Sequence, residues 1–299
     1  MQPKFVKVVE VGARDGLQNE GSVSTQDKVS LINALAKAGV KHLEAGAFVS
    51  PKWVPQMADS SDVLRQIDKS ALTTFSALTP NLKGAELAFN AGANEFAIFT
   101  AASEAFTQKN INCSIDESIA RFQPVMDFAK QHNIPVRGYV SCVMGCPYDG
   151  AVSLDTVVKV TKKLLAMGSY EVSLGDTIGV GTPQSTEQLL NALLEQVSAD
   201  KLAVHFHDTY GQALANVYTA LNMGIKTVDS AVAGLGGCPY AAGASGNLAT
   251  EDLIYMLNGL GIEHGIDLEM LAQAGWQISE ALNKQPTSKV SLALQAKLT

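Results

Sequence analysis

Apolar and polar positions follow a two-part rhythm along this chain: a short apolar run, a polar turn, then a longer amphipathic stretch. The runs at 5–11, 42–45, 72–78, 95–99, 136–142, 171–174, 202–207 and 227–230 read as eight short strands. Helical stripes between them predict helices at about 24–38, 59–67, 82–91, 114–132, 154–167, 183–196 and 211–223. In the first of these, Val29, Ile32, Leu35 and Ala36 share one face, and Ser24 or Thr25 can cap it. The stretch leading to Asn110 reads as a polar loop. Two further helices, at about 250–260 and 268–282, follow the last strand, and Pro286 breaks the tail beyond them.

Four helix-to-strand joints carry glycine, as Ala38-Gly39-Val40, Ala91-Gly92-Ala93, Met167-Gly168-Ser169 and Met223-Gly224-Ile225. Glycine just past a helix end adopts the left-handed conformation that turns the chain back. Strands alternating with helices imply a parallel sheet, and eight of them imply a closed α/β architecture: a (β/α)8 TIM barrel with extra C-terminal helices. The expected organisation is one catalytic domain over 1–299, with the barrel at about 5–265 and the C-terminal helices and tail at about 266–299. An open doubly wound sheet would be expected to carry a glycine-rich phosphate turn after its first strand. Here that turn is Gly12-Ala13-Arg14-Asp15-Gly16.

The 299 residues suit one such barrel, and 46% apolar content allows a large core. A net charge of -7 with no cluster of Lys or Arg argues against a nucleic-acid partner. No apolar run reaches the roughly 18 residues of a membrane helix. The chain opens Met1-Gln2-Pro3-Lys4 without a signal or transit pattern, and Cys113, Cys142, Cys146 and Cys238 match no structural zinc spacing. Cys142 and Cys146 could pair, but a reducing compartment is the simpler reading, so a cytoplasmic location without membrane attachment is expected.

In such barrels the site lies at the C-terminal ends of the strands. Strand one delivers Arg14 and Asp15, strand two Glu44, strand six Asp176 and strand seven His205 and His207. Strand eight feeds a glycine-rich loop that carries Cys238 and leads to Asn247. His205 and His207, one residue apart on a strand, point the same way. An isolated His-x-His is as easily two polar residues at a strand end. Beside Asp15 on the same rim it becomes a ligand set for Mg²⁺, Mn²⁺, Co²⁺ or Zn²⁺, to which Asn247 could add an amide oxygen. Arg14 can hold a substrate oxygen or stabilise an enolate, or bridge to Glu44 or Asp176. Glu44 and Asp176 read first as acids that orient a ligating histidine or a cation, and second as acid–base groups. The alternative for Asp15 is a residue that caps the turn. Cys238, on a pliant loop, can donate a proton or act as nucleophile. The other three cysteines read as packing residues, with a minor possibility of substrate contact at Met144 and Cys146.

The segments Val11-Gly12-Ala13-Arg14-Asp15-Gly16-Leu17-Gln18-Asn19, His205-Phe206-His207-Asp208-Thr209-Tyr210-Gly211 and Gly234-Leu235-Gly236-Gly237-Cys238-Pro239-Tyr240, continuing to Gly246-Asn247-Leu248, resemble the hydroxymethylglutaryl-CoA lyase family nearly end to end. Leu43-Glu44-Ala45, Phe48-Val49-Ser50-Pro51, Lys109-Asn110-Ile111-Asn112 and Leu174-Gly175-Asp176-Thr177-Ile178-Gly179 match as well. The first two motifs are shared with a wider group of metal-dependent barrels, including isopropylmalate and homocitrate synthases. The cysteine loop is what separates the lyases.

The resemblance implies that Asp15, His205, His207 and Asn247 bind Mg²⁺ or Mn²⁺, that Arg14 contacts substrate, and that Cys238 is the catalytic residue of the loop. It implies a homodimer that splits 3-hydroxy-3-methylglutaryl-CoA into acetoacetate and acetyl-CoA, the last step of leucine degradation. The residues make chemical sense of that cleavage. A metal can chelate the C3 hydroxyl and a neighbouring oxygen, Arg14 can neutralise the thioester enolate, and Cys238 can protonate it. The base stays open among His205, Asp15, Glu44 and a hydroxide held by the metal. A lyase for a longer 3-hydroxy-3-alkylglutaryl-CoA, a condensing enzyme or aldolase of the same superfamily, and a non-catalytic metal- or CoA-binding barrel are the rival readings. Lys52 and the loops after strands four and five are candidates for the CoA surface.

Overall fold

The computed structural model describes residues 2–69, 72–237 and 246–298. Eight strands, β1 (Lys7–Glu10), β2 (His42–Ala47), β3 (Thr74–Leu78), β4 (Glu95–Ala101), β5 (Val136–Ser141), β6 (Glu171–Asp176), β7 (Leu202–Phe206) and β8 (Thr227–Ser230), pair in parallel in sequence order. β1 closes on β8, with Lys7 opposite Thr227 and Glu10 opposite Ser230. The expected (β/α)8 barrel is therefore the observed one, and closure places the first and last strands side by side.

Helices cover the outside: α1 (Thr25–Lys37), α2 (Ser60–Gln66), α3 (Leu82–Ala91), α4 (Glu104–Ile111), α5 (Ile115–Arg121), α6 (Gln123–Gln131), α7 (Leu154–Met167), α8 (Pro183–Leu194) and α9 (Ala213–Asn222). Ser24 caps α1 by accepting from Asp27 N, and Asp27 returns the contact, a complete capping box. Gly92 and Gly168 end α3 and α7 with φ of 93° and 112°, as the glycine joints predict. After β8 come α10 (Thr250–Leu260), α11 (Leu268–Ala281) and α12 (Lys289–Gln295), and α11 packs against α1. No helix among the described residues is long and apolar enough to cross a membrane.

Three elements depart from the expectation. The stretch read as a polar loop contains α4, started by Ser103 Oγ accepting from Phe106 N at 3.0 Å. Its sequence buries only Phe106 and Thr107, too few positions to make a periodic stripe. The helix expected over 114–132 is two, divided at Phe122. Pro124, with no N–H to donate, sits in the first turn of α6, where none is needed. The tail beyond Pro286 forms α12, whose cap Ser288 also donates to Asp252 Oδ1 at 2.8 Å.

The barrel interior is unusually polar. Lys7 and Thr227 donate to Glu171, Arg137 donates to Glu171, Tyr139 and Asp229, and Ser173 donates to Asp229. These side chains are joined from the lower end of the barrel to its upper layer, where branched apolar residues are the norm. The apolar core lies mostly between sheet and helices, with Leu43, Phe75, Phe96, Leu174 and Phe206 among its fully buried members.

Candidate metal centre on the barrel rim

The sequence Gly12–Gly16 forms a single π-helical turn, closed by Gly16 N donating to Val11 O at 3.1 Å. One extra residue in the turn brings Arg14 and Asp15 in succession over the barrel mouth. Such turns recur at functional sites. β2 carries a bulge between Glu44 and Gly46 where it pairs with β3, a device that re-aims side chains beside active sites. His205 stands in β7 and His207 just beyond it, bridged to Asn247 by an isolated backbone pairing. Gly246 fits only as glycine, because a Cβ there would lie 2.3 Å from the Gly236 carbonyl carbon.

The structure brings Asp15, His205 and His207 together, with one ligating atom from each within 4.8 Å of the others. His205 Nε2 and His207 Nε2 are 3.3 Å apart, and Asp15 Oδ2 lies 3.9 Å from His205 Nε2. Two imidazole nitrogens and a carboxylate oxygen facing one point form a donor set that fits a divalent cation. Asn247 joins the group through its amide nitrogen, which donates to Asp15 Oδ2 at 2.9 Å and to Leu235 O at 3.2 Å. In this arrangement it steadies Asp15 rather than turning its oxygen inward.

Arg14 lies beside this point and is 6% exposed. Its Nε donates to Glu44 Oε2 at 2.7 Å and its Nη1 to Asp15 Oδ1 at 2.6 Å. Burial opposes its charge, but Glu44 and then Asp15 outweigh burial and hold the guanidinium above its ordinary value. Asp15 is likewise opposed by burial, yet Arg14 and the two histidines bring it down to about 2. Burial and then His205 push His207 down to about 4. His205 is drawn upward, against burial, by Asp229 and Asp15. The pair is thus electrostatically unequal although its rings face one another.

Glu44 contacts Arg14 and is fully buried. Asp176 is placed differently: its carboxylate accepts from Val180 N at 3.2 Å and Gly181 N at 2.8 Å, folding its own loop. It reaches the histidines through its backbone, His207 N donating to Asp176 O at 3.4 Å. Cys113, Cys142 and Cys146 are free and buried, consistent with packing. Cys238 lies outside the described residues. The root of its loop does not: Gly236 N donates to Glu20 Oε1 at 3.1 Å, Lys284 pairs with the same oxygen, and Thr287 Oγ1 donates to Ala233 O and Gly234 O at 3.2 Å each.

Sequence reasoning passed over Asp229, Arg137 and Tyr139. Asp229 Oδ2 is 3.3 Å from His205 Nδ1, and the Tyr139 ring lies edge-on to His205 with Arg14 5.9 Å from its centroid. For Asp229 and Arg137 the signal was a charge inside a buried strand, as in Thr227-Val228-Asp229-Ser230. An unpaired charge there would be prohibitively costly.

Known proteins resemble this chain over nearly its whole length. The family model described as HMGL-like matches residues 5–278. A cattle (Bos taurus) protein named hydroxymethylglutaryl-CoA lyase, mitochondrial, is 60% identical over 97% of this chain and 90% of its own length. A mouse (Mus musculus) protein named 3-hydroxy-3-methylglutaryl-CoA lyase, cytoplasmic, is 56% identical over 97% of this chain and 85% of its own. The crystal structure of hydroxymethylglutaryl-CoA lyase from Pseudomonas aeruginosa superposes with a TM-score of 0.97 at 55% identity, covering 99% of both chains.

Proposed function

The chain belongs to the HMGL-like family, and we propose that it is a divalent-metal-dependent carbon–carbon lyase that splits 3-hydroxy-3-methylglutaryl-CoA into acetoacetate and acetyl-CoA. The observation that carries this reading is the meeting of Asp15, His205 and His207 at one point of the rim with Arg14 directly beside them. We read residues 1–299 as a single catalytic unit.

Asp15, His205 and His207 would hold the metal, Mg²⁺ or Mn²⁺, and Asn247 would hold Asp15 or, with its amide turned, add a fourth contact. When bound, such a cation supplies Lewis acidity toward the substrate's C3 hydroxyl and an adjacent oxygen. Arg14 binds the thioester oxygen. Its charge is held by two carboxylates in a water-poor site, so it is already aimed where negative charge develops when the C2–C3 bond breaks. Glu44 keeps that guanidinium in place. The hydroxyl proton leaves to a group on this same rim, for which His205, Asp15 and Glu44 are the candidates. Cys238 delivers a proton to C2 of the acetyl-CoA enolate, a role assigned from its sequence motif.

We place the enzyme in leucine degradation, as a homodimer in a reducing compartment, the cytoplasm. Sedimentation and cell fractionation test these two points. The function itself is tested by following acetoacetate release from 3-hydroxy-3-methylglutaryl-CoA, with and without EDTA. Turnover that stops with EDTA and returns with Mg²⁺ or Mn²⁺ is expected. No release from this or any longer 3-hydroxy-3-alkylglutaryl-CoA thioester overturns the reading.

A further inference from the structure

The His205 ring has a second nitrogen that the reaction leaves unused. Nε2 faces His207 and Asp15, while Nδ1 stands 3.3 Å from Asp229 Oδ2, in the middle of β8. Asp229 is itself held from three sides. Arg137 donates to it twice, Nη1 to Oδ2 at 3.0 Å and Nη2 to Oδ1 at 2.7 Å, and Ser173 Oγ donates to Oδ2 at 2.8 Å. Arg137 is fixed in turn by Glu171, which accepts from its Nε at 2.8 Å. Both members of the Arg137–Asp229 pair are almost wholly buried, at 1% and 2% exposure. A buried ion pair of this kind adds little net stability over an apolar pair of the same volume. What it does provide is a carboxylate that cannot rotate.

An ionised carboxylate only accepts hydrogen bonds, so an imidazole nitrogen facing it carries the proton. A neutral imidazole has one N–H, and its other nitrogen is then a lone pair. Neither Nδ1 closes a hydrogen bond of ordinary geometry among the described residues, but that of His205 has the Asp229 carboxylate oxygen standing 3.3 Å away. We propose that Asp229, clamped by Arg137 and Ser173, is a positioning residue that fixes His205 as the Nδ1–H tautomer with its Nε2 lone pair aimed at the point shared by Asp15 and His207. The inference rests on the metal reading of the rim and goes beyond the roles assigned to Glu44 and Asp176.

Two measurements test it. In ¹⁵N-histidine-labelled protein, treated with EDTA or loaded with Mg²⁺, long-range ¹⁵N–¹H correlations report the tautomer. His205 as Nδ1–H is expected, and Nε2–H overturns the proposal whatever any variant does. In Asp229→Asn, both former carboxylate oxygens face Arg137 donors, so the amide NH2 meets an N–H in either orientation and the clamp opens. Mn²⁺ Kd, read from free Mn²⁺ by electron paramagnetic resonance, is expected to rise by roughly 10–100-fold, with kcat falling more than KM rises. Ser173→Ala, which leaves the arginine fork intact, is expected to shift Kd less and in the same direction. A folded Asp229→Asn protein with lower Tm but wild-type Mn²⁺ Kd would show a purely structural residue and overturn the proposal. If Asp229→Asn does not fold, the wild-type tautomer decides. A wild type that binds Mn²⁺ through the expected tautomer but never cleaves 3-hydroxy-3-methylglutaryl-CoA refutes the proposed function and leaves the positioning role standing.

Discussion

Arg14 Nε donates to Glu44 Oε2 at 2.7 Å, joining the turn after the first strand to the bulge in the second. Nε and Nη2 share that one carboxylate while Nη1 holds Asp15, so the planar fork is set by two acids at once. Lysine at this position would keep the charge but could not span both acids. Arg14→Lys should therefore lose at least about 10²-fold in kcat, the cost of one transition-state donor. Mn²⁺ Kd should stay near the wild-type value. Loss of metal binding in step with kcat would mean that Arg14 acts through Asp15 rather than on the substrate.

Asp15 is the anionic member of the proposed metal group. Asp15→Asn keeps its shape and removes its charge, leaving Arg14 and the histidines without their shared counter-charge. Metal affinity should fall by more than the roughly 10–100-fold that loss of an outer partner costs. His207→Ala should do the same without touching the Arg14 contacts. Calorimetric titration with Mn²⁺ distinguishes the cases, and unchanged affinity in both variants would remove these residues from the metal site.

Cys238 carries the prediction that depends most on chemistry and least on geometry. Cys238→Ser should cut kcat by roughly 10²–10⁴, the usual span for a positioned proton donor, with Mn²⁺ Kd retained. A Cys238→Ser protein that no longer binds Mn²⁺ would make the thiol a ligand instead.

Glu10 shapes stability rather than turnover. It lies fully buried in β1, accepting from Gly12 N at 2.8 Å, Val232 N at 2.9 Å and the Thr250 hydroxyl. Burial pushes its carboxyl up to about 7 despite those contacts, and burial likewise lifts Glu251 to about 8. A raised folded value means the native state binds the proton more tightly than the unfolded chain does. That contribution is complete below the ordinary carboxylate range and fades as pH climbs through about 7. Tm should therefore decline from pH 5 to pH 8.5. Glu10→Gln should flatten the decline, by on the order of 3 kcal/mol across the range. Parallel Tm–pH curves for the two proteins would contradict this.

What the sequence made readable was whatever is periodic or local. The strand runs, the glycine joints at Gly92 and Gly168, and the rim positions of Arg14, Asp15, Glu44, His205 and His207 all follow from spacing plus one rule about barrels. α4 stayed hidden because a helix that buries only Phe106 and Thr107 has no stripe to show. Asp229 stayed hidden for a different reason. Its meaning lies in Arg137 and Ser173, on strands far away in sequence, and no window along the chain contains all three. The carboxylate of Asp176 was traceable to the rim but not to its partners, which are backbone N–H groups of a turn whose shape the residue names do not fix.

The closure of β1 on β8 sets a clock for this protein. Asp15 precedes β1's neighbour β2 in the chain, whereas His205 and His207 belong to the seventh strand and its end. The strand that carries Asp229 and seals the barrel comes later still. The three groups meet only where the strands that carry them are paired, unlike the ligands of small zinc domains that fold around their metal. The barrel takes its shape from its own core and interior ion pairs, and loading of the proposed metal would be a separate and later event.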